Sequence, residues 1–402
     1  MTRYLFHGGT LVDPILGRIE NDLVIEGDRI VEVGTGLDGD EAIDCTGKYL
    51  IPGLFDCHVH LAYTHVDLWK HIHTPLSYNF YLAIGNMART IECGITTVRD
   101  AGGADLGMKE AVQDGLIPGP RMQISLVMMS QTGGHGDGWN PSGIPVNLAA
   151  PYPGRPDNIA DGPDEVRAKV RELVRAGADV IKVATSGGVL SPRDDPRHAH
   201  YSPEELDVLV AEARSAGIWV MAHAQAADGI KNALRAGIRS IDHGIYLDDE
   251  AIGLLLERGA YLVPTLLAPT GVEKAVAAGA QIAEASIRKA AELVEIHRES
   301  FRKAVEAGVN IAMGTDSAVT PHGTNLEELS LMVENGQTAE QAFASATINA
   351  ATLMGLEEDL GSLEPGKLAD LVVTTSDPLV FDGLKDGIQE VWKAGSRLVG
   401  PT

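Results

Sequence analysis

Cysteine is scarce in this chain of 402 residues. Cys45, Cys57 and Cys93 are too few and too scattered for a disulfide framework. Positive charge is short as well: 32 Lys and Arg stand against 56 Asp and Glu, a formal net charge of −24. No basic surface is left over for phosphates, which excludes nucleic acid as a partner. No run of about 18 apolar residues occurs, so no membrane span or membrane partner is expected. The first seven residues begin no apolar core of signal-peptide length. Internal repeats and low-complexity segments are also missing. These absences lead to the expectation of a soluble, cytoplasmic protein. What remains is ordinary globular composition, with 44% hydrophobic and 22% charged residues and room for one large and one smaller domain.

Short apolar runs bounded by Gly and Asp occupy residues 1–50, as in Tyr4-Leu-Phe-His-Gly-Gly and Asp22-Leu-Val-Ile-Glu-Gly. The same pattern returns after residue 369, in Ala369-Asp-Leu-Val-Val-Thr-Thr. A small β-sandwich built from both ends of the chain, 1–52 with 356–402, is expected. Between them, eight strand candidates (49–58, 96–100, 121–126, 180–184, 219–223, 240–243, 261–264 and 310–315) alternate with helical stretches such as 165–176, 203–216 and 226–236. That alternation predicts an α/β fold, a (β/α)₈ TIM barrel over 53–355. Ser202-Pro-Glu-Glu205 and Thr338-Ala-Glu-Gln341 read as capping boxes. Gly177, Gly217, Gly237 and Gly308 close helices ahead of strands. The stretch 131–163 is long, aperiodic and rich in Gly, Pro and Asn, which marks a functional loop after the third strand. A second polar loop, 186–201, follows the fourth.

Six positions lie in or just past these strands: His58, His60, Lys182, His223, His243 and Asp316. His58-Val-His60 places two imidazoles two residues apart, where strand side chains point the same way. Lys182 lies inside a strongly apolar strand, where burial lowers an amine's pKa and makes it reactive. Carbon dioxide would convert that amine to a carbamate able to bridge two metals. Singly, each residue has a plain structural explanation, such as a rim lysine, a core histidine or a helix cap. Together, four imidazoles, one carboxylate and one lysine form a ligand set for two divalent metals. A parallel barrel would gather all six at its C-terminal mouth.

Gly53-Leu-Phe-Asp-Cys-His-Val-His60, Lys182, His223, His243, Gly314-Thr-Asp316 and Gly361-Ser-Leu-Glu-Pro-Gly-Lys-Leu-Ala-Asp-Leu-Val372 span nearly the whole chain. In these motifs the sequence resembles the amidohydrolase superfamily, specifically the two-metal type with a carboxylated lysine. Gly133-Gly-His-Gly-Asp137 and Ser186-Gly-Gly-Val189 resemble the branch of prolidase-like dipeptidases and Xaa-Arg peptidases. The resemblance implies that His58, His60 and Asp316 hold one metal, His223 and His243 the other, and carboxylated Lys182 bridges them. It implies a metal-bridging hydroxide that attacks an amide-type C–N bond, with Asp316 moving the proton to the leaving amine. His135 would contact the substrate near the reacting carbonyl. Zinc is the default metal for such ligands, with manganese, cobalt or iron as alternatives. The implied partners are a small-molecule substrate and other copies of the chain in a homo-oligomer.

One departure stands out. Prolidase-like relatives carry a tyrosine two residues after the fifth-strand histidine, where this chain has Gln225. Tyr246 or an arginine such as Arg193 is the expected substitute at the substrate. The change widens the expected substrates to dipeptides, N-acyl amino acids, and related amides, carbamates and ureas. The alternatives are a one-metal deaminase or cyclic-amide (imidazolone) hydrolase on the same fold and, behind it, a non-enzymatic scaffold. His65, His71 and His73 read as an entrance rim, Arg197 as a further loop cation, and Cys57 as an outward-packed apolar residue.

Overall fold

The computed structural model describes residues 1–147, 150–191 and 193–400. Leu148, Ala149 and Pro192, which fall inside the two long polar loops, lie outside the described residues. The fold is α/β. Strands Leu54–Val59, Ile95–Asp100 and Arg121–Ile124 pair in parallel as one sheet. Met128–Met129, Val180–Ala184, Trp219–Ala224, Ser240–His243, Tyr261–Val263 and Asn310–Ile311 pair in parallel, in chain order, as another. Every residue of Leu54–Val59, Ile95–Asp100 and Val180–Ala184 is buried. Sheets covered on both faces bury their strands in this way.

Backbone bonds link the two sheets at both edges. Asp179 N–H donates to Ile124 O at 2.8 Å, and on the other side Cys57 N–H donates to Met313 O and Asp316 N–H to His58 O, each at 2.8 Å. Two expected strands are shorter than the sequence suggested. The third breaks at Leu126, whose φ of 67° turns the chain out of the ladder before Met128. The last keeps ladder pairing only over Asn310–Ile311, then passes beneath His58. A Cβ on Gly314 would lie 2.4 Å from Val263 Cγ1 and 2.9 Å from His58 Cβ, so that approach requires glycine.

Helices Gly162–Arg175, Pro203–Ser215 and Ala227–Ala236 match the expected stretches within a few residues. Both capping boxes form, at Ser202 with Glu205 and at Thr338 with Gln341. Helix Glu284–Ala307 follows the Tyr261–Val263 strand and packs beside the site. None of the helices among the described residues is long and apolar enough to cross a membrane.

The chain ends form two further sheets. Arg3–His7, Asp22–Glu26, Arg29–Gly34 and Glu41–Asp44 make one. In the other, Tyr49–Pro52 pairs antiparallel with Leu371–Thr374, so strands from both ends share a ladder. Phe6, Ile25 and Ile30 of the first sheet join Leu11, Leu50, Leu371, Val373 and Trp392 of the second in one buried cluster.

Candidate metal centre

A cavity of about 860 Å³ lies beyond the C-terminal ends of the parallel strands. His58, His60, Lys182, His223, His243 and Asp316 all line it, as do His135 and Arg193. The local backbone explains how they meet. His243 and Asp316 adopt φ values of 75° and 58°, uncommon for residues with a Cβ. These turns end the strand alternation and bring side chains from strand ends into the cavity.

The imidazoles form a contiguous row. Ring centroids lie 5.4 Å apart for His60 and His58, 5.0 Å for His58 and His243, and 4.6 Å for His243 and His223. His135 from the 131–163 loop stacks on His223 at 4.2 Å. Asp316 Oδ1 lies 3.4 Å from His58 Nε2 and 3.2 Å from His60 Nε2. Donor atoms of these three residues lie within 4.8 Å of one another, a spacing one metal ion can bridge.

Each ring is anchored through one nitrogen. Nδ1 of His58 meets Asp242 Oδ2 at 2.8 Å, that of His60 meets Gly102 O at 2.7 Å, and that of His243 meets Thr265 Oγ1 at 2.7 Å. His223 is the exception, bonded through Nε2 to Gly187 O at 3.1 Å. One nitrogen of each ring is thereby fixed and the other left for the cavity side, the usual support of metal-ligating histidines. Burial, reinforced by neighbouring imidazoles, holds His223 and His243 well below the ordinary histidine range, in the neutral form a ligand needs. Burial works to raise the Asp316 carboxyl, but His58 and His60 outweigh it and hold that group well below the usual range. The donor set therefore fits divalent metal.

Lys182 is fully buried, and burial lowers its amine against the opposing pull of Asp242. Its Nζ lies 2.9 Å from Asp242 Oδ2. Asp242 was not anticipated from the sequence and is the hub beneath the site. It also meets His58 Nδ1 and accepts from Arg99 Nη2 at 3.3 Å and Ser240 Oγ at 3.1 Å. The available signal was alternation: Ser240 and Asp242 share one strand face.

His135 is held by a second unanticipated group. Its Nδ1 meets Ser191 Oγ at 2.7 Å and Asp194 Oδ2 at 3.1 Å. Asp194 is buried and paired with Lys289 of helix Glu284–Ala307, whose Nζ also donates to the carbonyls of Gly188 and Ser191. A Cβ on Gly188 would come within 2.2 Å of the His135 ring, so the two loops meet through that glycine.

The remaining expected positions divide. Arg193 lines the cavity, bonded to Trp139 O and Asn140 Oδ1. Gln225 also lines it, and its buried Oε1 has no hydrogen-bond partner. Tyr246 does not line the cavity: its ring packs into a cluster with Val189, Leu190 and Ile245. Arg197 is taken by Asp195. Of the rim histidines, His65 lines the cavity while His73 bonds to Trp69 O on a short helix. Cys57 packs with Ala312 and Leu353.

An α/β fold with a His- and Asp-rich pocket at its strand ends is the arrangement in which metal-dependent hydrolases hold their ions. The Amidohydrolase family model matches residues 49–398, and the chain belongs to that family. It is 37% identical over 371 residues to ochratoxinase of Aspergillus niger, covering 88% of this chain and 76% of that protein. The solved structure of a Xaa-Pro dipeptidase with bound methionine in the active site superposes with a TM-score of 0.90 at 34% identity, covering 99% of this chain and 100% of that one. Imidazolonepropionase of Hyphomonas neptunium is 26% identical over 90% of each chain. The protein is an enzyme, a hydrolase of amide-type C–N bonds.

Proposed function

We propose that the enzyme uses two divalent metal ions and a carboxylated Lys182, on the pattern of the prolidase-like branch. The single observation that carries this reading is the anchoring of the four histidines His58, His60, His223 and His243, each by one nitrogen, around one cavity that Lys182 and Asp316 also line. His58, His60 and Asp316 would hold one metal, His223 and His243 the other, and the Lys182 carbamate both. When bound, such ions polarise a carbonyl and ionise water near neutral pH, and zinc, manganese, cobalt or iron all suit the ligands. The Asp316 carboxylate would accept a proton and pass it to the departing amine. His135 Nε2, with Nδ1 fixed by Ser191 and Asp194, would bond the substrate beside the reacting carbonyl. A carbamate keeps one N–H on Nζ, so its bond to Asp242 survives carboxylation.

In the same reading the two linked parallel sheets are one (β/α)₈ barrel over 53–355. Residues 1–52 and 356–402 form a β-sandwich domain beside it. The substrate is a dipeptide, an N-acyl amino acid or a related amide, carbamate or urea. The Lys182–Asp242 contact also permits a second reading, in which Lys182 stays an amine paired with Asp242 and the enzyme is a one-metal hydrolase of a cyclic amide.

Lys182→Ala separates the two. Under the first reading it lowers turnover of a pooled amide panel at least 100-fold and removes one metal equivalent. Carbon-13-labelled bicarbonate then gives a carbamate signal in wild type that the variant lacks. Wild-type protein with one metal per chain and no carbamate carbon establishes the second reading.

A further inference from the structure

The cavity has two chemically different halves. Its floor is the imidazole cluster. Its mouth carries large apolar side chains from separate stretches of chain, Trp69 and Ile72, Trp139 and Ile144, and Leu190 from the loop after the fourth strand, beside the polar Asp137, Asn140 and Arg193. Trp69, Ile72, Trp139 and Ile144 are 48% to 64% exposed, though large apolar side chains gain free energy by leaving water. Segments about 70 residues apart place them around a single opening. The chain has four tryptophans, and half of them stand here. Exposed apolar patches of this kind mark binding surfaces. Trp139 is further oriented by Arg193, whose guanidinium lies 5.1 Å from the ring centroid. A volume of about 860 Å³ is near the top of the range of roughly 300–1,000 Å³ typical of small-molecule sites.

We infer that the mouth is a subsite for a bulky aromatic group carried on one side of the scissile amide, with the ring seated between Trp69 and Trp139. Aromatic rings suit it better than alkyl chains because flat indole faces gain from offset or edge-on ring contacts beyond simple burial. Near the floor the cavity is lined by the neutral amide of Gln225, whose buried Oε1 has no hydrogen-bond partner within the protein. Hydrolysis then adds the hydroxyl of water to the carbonyl carbon and its proton to the amine, leaving the aromatic half to exit through the mouth. This inference rests on the proposed amide hydrolysis for its chemistry, but not for its binding preference.

The test uses sulfonamides, which mimic the amide and resist cleavage, titrated into the metal-loaded enzyme by calorimetry. 2-Naphthalenesulfonylglycine carries the ring on the acyl side, N-(2-naphthyl)methanesulfonamide on the amine side, and methanesulfonylglycine carries none. At least one naphthyl probe should bind ten times or more tighter than the ringless one. The double substitution Trp69→Ala with Trp139→Ala should cut that ratio to under threefold, while Val380→Ser, an exposed position off the cavity, leaves it unchanged. Equal binding of all three probes, or a ratio that survives the double substitution, overturns the subsite. The matching carboxamides are then assayed for turnover. A naphthyl preference in binding with no cleavage of any amide supports the subsite and counts against the proposed reaction. Cleavage without the preference does the reverse.

Discussion

Each imidazole of the site has one nitrogen committed to the protein, and the commitment of His135 reaches furthest. Asp194 holds His135 Nδ1, accepts the Gly188 N–H at 2.9 Å, and is paired with Lys289. Burial works to raise the Asp194 carboxyl, but His135, Ser191 and Lys289 hold it down to about 2. A carboxyl lowered in the folded state adds stability above its unfolded pKa, near 4, and loses it as pH falls through the folded value. The shift corresponds to roughly 2 kcal/mol, lost between about pH 4 and pH 2. Asp194→Asn should therefore be less stable than wild type at pH 5, with the gap closing by pH 2.5 in urea titrations. It should also lower kcat/KM roughly tenfold, the low end of the cost of losing a supporting partner. A gap that is constant with pH would refute the assignment. At this scale the sequence was informative about residues that line the cavity and poor about the groups that hold them. His58, His60, Lys182, His223, His243 and Asp316 are residue types that seldom sit in apolar strands without a reason. Asp242 and Asp194 look like any other acidic residue until folding places them under an amine and an imidazole. Tyr246 shows the opposite failure, a sensible spacing whose side chain packs elsewhere.

Among the elements, the segment following Tyr261–Val263 shows how a distant helix shapes the site. Thr265, at φ 53°, holds His243 Nδ1. The next two residues donate their backbone N–H groups to Glu328 on helix Glu327–Glu334, at 2.7 Å for Leu266 and 2.9 Å for Leu267. Burial pushes Glu328 up to about 8 in spite of those bonds. Glu328→Ala leaves two buried donors unmatched at about 1–3 kcal/mol each, so a loss of roughly 2–6 kcal/mol is expected. Activity should fall with it, because His243 loses its fixed orientation. Glu328→Gln keeps one acceptor and should cost less on both counts. Chemical denaturation and steady-state kinetics check this, and an alanine variant as stable as wild type would sink it. Strand positions were legible because parallel strands buried on both faces leave short apolar runs. The shortened third and last strands were not, since Leu126 and the tight passage at Gly314 depend on neighbours distant in sequence.

For the whole molecule, the question is what keeps a row of close-packed imidazoles stable beside a buried lysine and arginine. Asp242 faces both Lys182 and Arg99 and pairs with each. Carboxylating Lys182 would replace the ammonium by an anion, and Asp316 adds another close by. Asp242, Asp316 and the row of imidazoles leave the site suited to cations. Metal bound to the folded state alone should therefore stabilise the whole chain, by about 2.7 kcal/mol per site at 100 times its Kd. For a chain of 402 residues that is a rise in Tm of roughly 3 °C per site. Chelator-treated protein should melt correspondingly lower and lose amide turnover. Zinc or manganese added with bicarbonate should restore both, while metal without bicarbonate restores them only in part. If protein stripped of metal keeps its Tm and its turnover, the cluster is a packing feature, and neither the two-metal nor the one-metal reading holds.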